Sequence, residues 1–185
     1  MPQETVLSDA PPQLFKTKGH LLARQFLEGV HFMHRHNVAH LDLKPDNIVV
    51  ARPTNRLFII DFSVSVQVSG PESRISGYRG TEGWAAPELE LNSNREYQPI
   101  RADLWSAGRV LQYLADQQHG HISDPIYFLA ERLMNRNPQL RPALSVIPDY
   151  PILEKEVVNV GGVRIVDPED LNNDYSIPRQ DLVAL

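Results

Sequence analysis

Apolar residues recur at helical spacing near the start of the chain. Leu22, Phe26, Val30 and Met33 stand at i, i+4, i+8 and i+11 and form one stripe, which predicts an amphipathic helix. Gly29 falls inside it at a modest cost. The helix should stop near His36-Asn37, because Asn37 can adopt a left-handed cap. The pattern then changes to short runs of β-branched and aromatic residues. Ile48-Val49-Val50 and Leu57-Phe58-Ile59-Ile60 flank the turn-like Pro53-Thr54-Asn55-Arg56, so a small hairpin is expected. A second amphipathic helix is expected from Ile126 to Met134, and a second hairpin around Gly161-Gly162 within Val157 to Val166. Between these elements, residues 64–79 are rich in Ser, Gly and Arg and show no period, which suits a mobile loop. Residues 1–13 are polar and proline-bearing and read as a flexible or partly extended lead-in. No internal repeat is seen.

Two polar stretches bracket the first hairpin. His40-Leu41-Asp42-Leu43-Lys44-Pro45-Asp46-Asn47 places a carboxylate, an ammonium and an amide within six positions, directly before Ile48. Asp61-Phe62-Ser63 directly follows Ile60. Taken singly, a loop Asp or Asn is an ordinary turn residue or a solvated charge. Together they set two oxygen-bearing side chains, Asn47 and Asp61, at the two ends of the hairpin. Lys44 lies two residues beyond Asp42, where an extended chain sends side chains to the same side. Five histidines fall from His20 to His40, with His31, His34 and His36 close together. No carboxylate or cysteine is patterned around them, which weighs against a metal site there.

The first stretch resembles the HxDxKPxN catalytic loop of eukaryotic-type protein kinases, and the second their DFG metal loop. Three further blocks follow in the family's order. Gly80-Thr81-Glu82-Gly83-Trp84-Ala85-Ala86-Pro87-Glu88 resembles GTxxYxAPE, Ala102 to Gly108 resembles DxWSxG, and Arg141-Pro142 stands where a conserved arginine is placed. The form Asp-Leu-Lys-Pro-Asp-Asn is similar to serine/threonine kinases rather than tyrosine kinases.

The resemblance implies a set of roles. Asp42 would accept or orient the proton of an acceptor hydroxyl, and Lys44 would neutralise charge on the transferred phosphoryl group. Asn47 and Asp61 would hold Mg2+, and Val49 would form the floor beneath the adenine of ATP, a role compatible with plain core packing. Thr81 would hydrogen-bond towards Asp42 and Lys44. His40 would pack beneath the metal loop. Glu88 would pair with Arg141 in a buried ion pair. Asp103 would accept backbone N–H groups of the catalytic loop, its alternative being an ordinary helix cap. Ser69, Ser73, Ser76 and Tyr78 would be candidate phosphosites in an activation segment.

The resemblance covers about residues 14–147 and matches only the larger, C-terminal lobe of a kinase. The expected fold is mainly α with small β hairpins, preceded by the lead-in 1–13 and followed by an acidic tail, 148–185, expected to be partly disordered or loosely docked. Several family features differ. The sequence carries no GxGxxG loop or VAIK-like lysine ahead of the catalytic loop. The span between Gly108 and Pro125 is short for the helix that usually docks substrates. Leu41 replaces the arginine that pairs with a phosphorylated activation loop, which disfavours switching by a loop phosphate. Ser63 replaces the glycine after Asp-Phe, so this loop should flip less readily.

The implied activity is transfer of the γ-phosphoryl of ATP to Ser/Thr hydroxyls of a protein substrate, by a truncated or partial kinase domain. The alternative is a non-catalytic kinase-like binding module, with a partner covering the exposed lobe face. A small-molecule kinase shares an HxDxxxxN loop, but Ala86-Pro87-Glu88 and Arg141-Pro142 argue against it. Composition narrows the picture further. The 185 residues are 42% hydrophobic and 22% charged, as in a globular protein with a real core. A net charge of -5 gives no nucleic-acid footprint. The chain has no cysteine, so disulfide scaffolds and thiolate metal sites are excluded. Neither a secretory signal nor a membrane-length apolar run is seen, and an intracellular, cytoplasmic setting is expected.

Overall fold

The computed structural model describes residues 3–90, 95–118 and 125–145, together with the strand pair 158–160 and 163–165. The chain divides into two units, residues 1–152 and 153–185. In the first unit β1 (Gln3–Val6) leads through a single 3-10 turn at Leu7–Asp9 into α1 (Pro12–Arg35). The lead-in is extended, as expected, but it is not loose. β1 pairs antiparallel with β3 (Ile48–Arg52), and Leu7 is fully buried. Leu7 is the one large apolar side chain that turns inward here, and burying it fixes the segment.

α1 buries the predicted stripe, and Leu14, Phe15 and Leu27 extend it. Pro12 opens the helix, where its missing N–H costs nothing. Asn37 closes it at φ 57°, the left-handed cap expected. β2 (Val38–Ala39) follows, then β3 and β4 (Arg56–Ile59), which form the predicted hairpin with Val49 opposite Phe58. The small sheet has the order β1-β3-β4, so β3 is its centre and its first three residues are buried.

The stretch expected to be a mobile loop is held at several points. β5 (Val66–Gln67) pairs with β2, and Ile75 bridges Tyr97. Alternation is too brief in these two-residue contacts for a period to be read from sequence. After the short α2 (Pro87–Glu90), α3 (Pro99–Gln117) runs through the core with twelve buried residues, Asp103 among them. It starts four residues ahead of Asp103, so this carboxylate lies within the helix and is not its cap. α4 (Pro125–Leu133) packs on α3, and contact is close because Gly108 has no side chain. A Cβ there would lie 2.9 Å from the Ala130 carbonyl oxygen. Among the described residues no helix is long and apolar enough to cross a membrane.

In the second unit β6 (Val158–Val160) pairs antiparallel with β7 (Val163–Ile165), with Val160 opposite Val163. That is the register expected of a hairpin around Gly161-Gly162. The rest of the tail, expected to be partly disordered, lies outside the described residues. A helical body with small antiparallel sheets agrees with the expected fold class.

Candidate functional site

The stretch from His40 to Asn47 is positioned from beneath by one carboxylate. Asp103 is fully buried and accepts the backbone N–H groups of His40 at 2.6 Å and Leu41 at 2.7 Å. The ring of His34, on α1, reaches the same carboxylate at 3.1 Å. Three donors satisfy a charge that would otherwise be costly to bury. They also hold Leu41 at φ 66°, a left-handed conformation unusual for a bulky residue.

His40 is itself fully buried and links the two loops. Its Nε2 lies 3.0 Å from the Ile60 carbonyl oxygen, so that nitrogen carries the proton. Its Nδ1 accepts the Asp42 N–H at 3.3 Å. The ring also packs on Phe62, with centroids 4.9 Å apart.

Above this base stand Asp42, Lys44, Asn47 and Thr81, four of the residues singled out in the sequence. Thr81 donates its hydroxyl proton to Asp42 Oδ1 at 2.7 Å. Lys44 Nζ donates to Thr81 Oγ1 at 2.6 Å and lies 3.0 Å from Asp42 Oδ2. The Asn47 amide donates to the Asp42 carbonyl oxygen at 2.9 Å and to Oδ2 at 3.0 Å. Gly80, at φ 102°, brings Thr81 into place. A Cβ on Gly80 would lie 2.5 Å from the Leu41 carbonyl oxygen, so only glycine fits there.

Two predicted residues stand apart from this network. Asp61 follows β4 and is exposed, at φ 63°. The Ser63 hydroxyl and the Ser63 backbone N–H hold its carboxyl below the usual carboxylate range, and the Lys44 ammonium adds a little to this. Asp61 is therefore ionised. Positive φ falls on Asp61, whereas the sequence reading placed the conformational demand at position 63. Val49 is buried in the central strand, between Val6 and Phe58.

Asn47 and Asp61 fit magnesium by donor chemistry. Both protons of the Asn47 amide are engaged with Asp42, which leaves its oxygen as a nearly buried acceptor. Asp61 adds an ionised carboxylate. Both are hard oxygens. Among the described residues no group of three or more His, Cys, Asp or Glu could hold a metal ion.

The expected ion pair is present at the block that closes the segment. Arg141 is 1% exposed and donates to both oxygens of Glu88, at 2.6 and 2.8 Å. Sequence reasoning missed His34, whose spacing from the loop carries no motif. It also missed Gln25, which accepts the Leu57 N–H at 3.0 Å and donates to the Asn55 carbonyl at 3.2 Å, tying β4 to α1. Gln25 lies one turn from Gly29 on α1, but only the paired strand gives it a partner.

The model of the protein kinase domain family matches residues 7–124, more than half of the chain. The chain belongs to the protein kinase family. Serine/threonine-protein kinase 17A of Oryctolagus cuniculus is 43% identical over 97 residues, 50% of this chain and 23% of that protein. Sperm motility kinase 2A of Mus musculus is 30% identical over 156 residues, 72% of this chain and 30% of that protein. Serine/threonine-protein kinase STE20 of Eremothecium gossypii is 30% identical over 145 residues, 77% of this chain and 14% of that protein. The kinase chain thus spans less than a third of the length of each of these relatives. The family match ends before Arg141, yet Arg141 closes the ion pair with Glu88.

Proposed function

We propose that the chain is the larger, helical lobe of a serine/threonine protein kinase domain, a partial kinase. It transfers the γ-phosphoryl of ATP, with Mg2+, to Ser/Thr hydroxyls of proteins. The observation that supports this most is what each group has left over. A carboxylate offers about four lone-pair sites. Thr81, Asn47 and Lys44 occupy three of those on Asp42, so one remains to accept the hydrogen of an incoming hydroxyl. The Lys44 ammonium spends two of its three protons on Thr81 and Asp42 and keeps one for a phosphoryl oxygen. The Asn47 oxygen is the third vacancy, for a cation.

In the transfer step the acceptor oxygen forms a bond to the γ-phosphorus while the bond from that phosphorus to the bridging oxygen of ADP breaks. The acceptor proton passes to Asp42. Lys44 holds charge on the moving group, and Thr81 keeps Asp42 and Lys44 in register. Asn47 and Asp61 would hold magnesium, and Val49 would pack against the adenine. Magnesium, when bound, neutralises phosphate charge that the protein alone leaves uncompensated.

The test is transfer of labelled γ-phosphate from magnesium-ATP to a Ser/Thr peptide mixture. Asp42→Asn should lower the rate by about 100-fold or more, the usual worth of a positioned base, with the melting temperature little changed. Wild-type turnover in that variant would remove Asp42 from the role. A second reading, a non-catalytic binding module, is favoured by one observation. Phe58, Ile60 and Phe62 flank Asp61 and are each 40% to 49% exposed, an apolar surface a partner could cover. A wild type that binds a partner through these residues and transfers no phosphate would establish that reading instead.

A further inference from the structure

The segment between Asp61 and Gly80 is held by contacts that use no phosphate. Ile75 and Tyr97 exchange backbone hydrogen bonds of 3.0 and 2.8 Å. The Tyr97 hydroxyl donates to the Gly77 carbonyl at 3.1 Å. Val64, Val66, Val68 and Ile75 pack on the apolar cluster that contains Leu41. Leu41 thus fills with hydrocarbon the place where the resemblance leads one to expect a phosphate-pairing arginine.

One contact in this set is ionic. Glu72 Oε2 accepts from Gln98 Nε2 at 2.6 Å, and Glu72 Oε1 lies 3.6 Å from Arg101 Nη2. Gln98 is 7% exposed, and its own amide oxygen accepts from Gln139 at 2.6 Å. Arg101 donates to the Arg141 carbonyl at 2.9 Å, and Arg141 donates back to the Arg101 carbonyl at 2.8 Å. Arg141 also holds Glu88. The middle of the segment, at Glu72, and its end, at Glu88, are therefore moored to one platform at the start of α3.

We propose that Glu72 is a positioning residue, a built-in anion that latches the segment to Gln98 and Arg101 and so keeps Thr81 at Asp42 without a phosphate on the segment. The proposal rests on the kinase reading above and concerns the regulation of that site. Gln98 carries most of the effect. Without Glu72 its nearly buried amide group loses its acceptor, and an unmatched buried donor is costly. The Arg101 contact is longer and solvent-facing, so it contributes less. The Ser69 and Ser73 hydroxyls are bonded to each other at 2.9 Å, and Ser73 Oγ also accepts the Gly70 N–H at 3.1 Å. Phosphorylation of Ser73 would break this turn.

The test is limited trypsin digestion of the full chain, treated with phosphatase and shown by mass to be phosphate-free. Trypsin can cut the segment after Arg74 and Arg79. Cleavage of a transiently open segment tracks the open population, so Glu72→Ala should be cut at these sites about tenfold faster than wild type. Glu72→Gln, which keeps an acceptor for Gln98, should recover most of the protection. The Glu72 side chain is largely exposed, so both variants fold, and a cooperative melting transition verifies this. Equal cleavage of phosphate-free wild type and Glu72→Ala would overturn the latch, as would equal cleavage of the Gln and Ala variants. This readout does not use phosphotransfer. A failed Asp42→Asn assay would therefore count against the kinase reading alone, and a failed digestion against the latch alone.

Discussion

The stretch from His40 to Asn47 is wired from beneath, whereas the loop from Asp61 to Ser63 lies open. In the first, a fully buried carboxylate on α3 fixes two backbone N–H groups, and Asp42 is surrounded by Thr81, Lys44 and Asn47. In the second, Asp61 is held ionised by its own neighbour Ser63, and Phe62 is half-exposed. The contrast teaches where rigidity is required. Phosphoryl transfer depends on positioning, so groups that touch the reacting oxygen and phosphorus gain from being fixed in advance. On the proposed function Asp61 is the exposed half of a cation site whose other oxygen, on Asn47, is nearly buried, and an exposed carboxylate stays solvated at little cost until the cation arrives.

This comparison can be broken most sharply at Asp103. Asp103→Ala should cost about 3–5 kcal/mol, since it strands two buried N–H groups and releases the left-handed Leu41. Chemical denaturation would measure it, and a loss no larger than that of a surface substitution would refute the buried wiring. Arg141→Ala should cost a similar amount, again about 3–5 kcal/mol, because Glu88 is left without its partner. An unchanged melting temperature would sink that pairing. Asp61→Ala should fall within about 0.5 kcal/mol of wild type, as exposed substitutions usually do. A large loss would show that the open loop is also structural.

The smallest effect concerns pH. Burial, followed by the charges of Arg35 and His34, lowers the His31 pKa below its ordinary value of 6.5. The unfolded chain then takes up a proton that the folded chain resists. Stability from this group is complete above pH 6.5 and is lost as pH falls through that value towards the folded pKa. Melting temperature should fall less steeply on acidification in His31→Gln than in wild type. Identical slopes would exclude the effect.

Much of the wired region was legible in the sequence, because its residues stand in motif blocks that keep a fixed order along the chain. Asp42, Lys44, Asn47 and Thr81 meet as their motifs implied, and so do Glu88 and Arg141. The α1 stripe and the β3-β4 hairpin were legible for the same reason, since each depends on local period. What was not legible lies outside any motif and depends on partners that only the fold brings together. His34 meets Asp103 across 69 positions, and Gln25 meets Leu57 across 32. β1 gained its order from Leu7 and from the edge of β3. The segment from 64 to 79 looked mobile because its anchors, Tyr97 and Gln98, are themselves outside it and follow no period.

The most direct test of the account is a thermal-shift titration of the chain with ATP and magnesium, beside Asp61→Ala. Ligand at about 100 times its dissociation constant should stabilise the wild type by roughly 2.7 kcal/mol. The account predicts a magnesium-dependent rise in melting temperature for the wild type and its loss in Asp61→Ala, with both proteins folded. A wild type that shows no magnesium-dependent rise, or an equal rise in the two proteins, would contradict it.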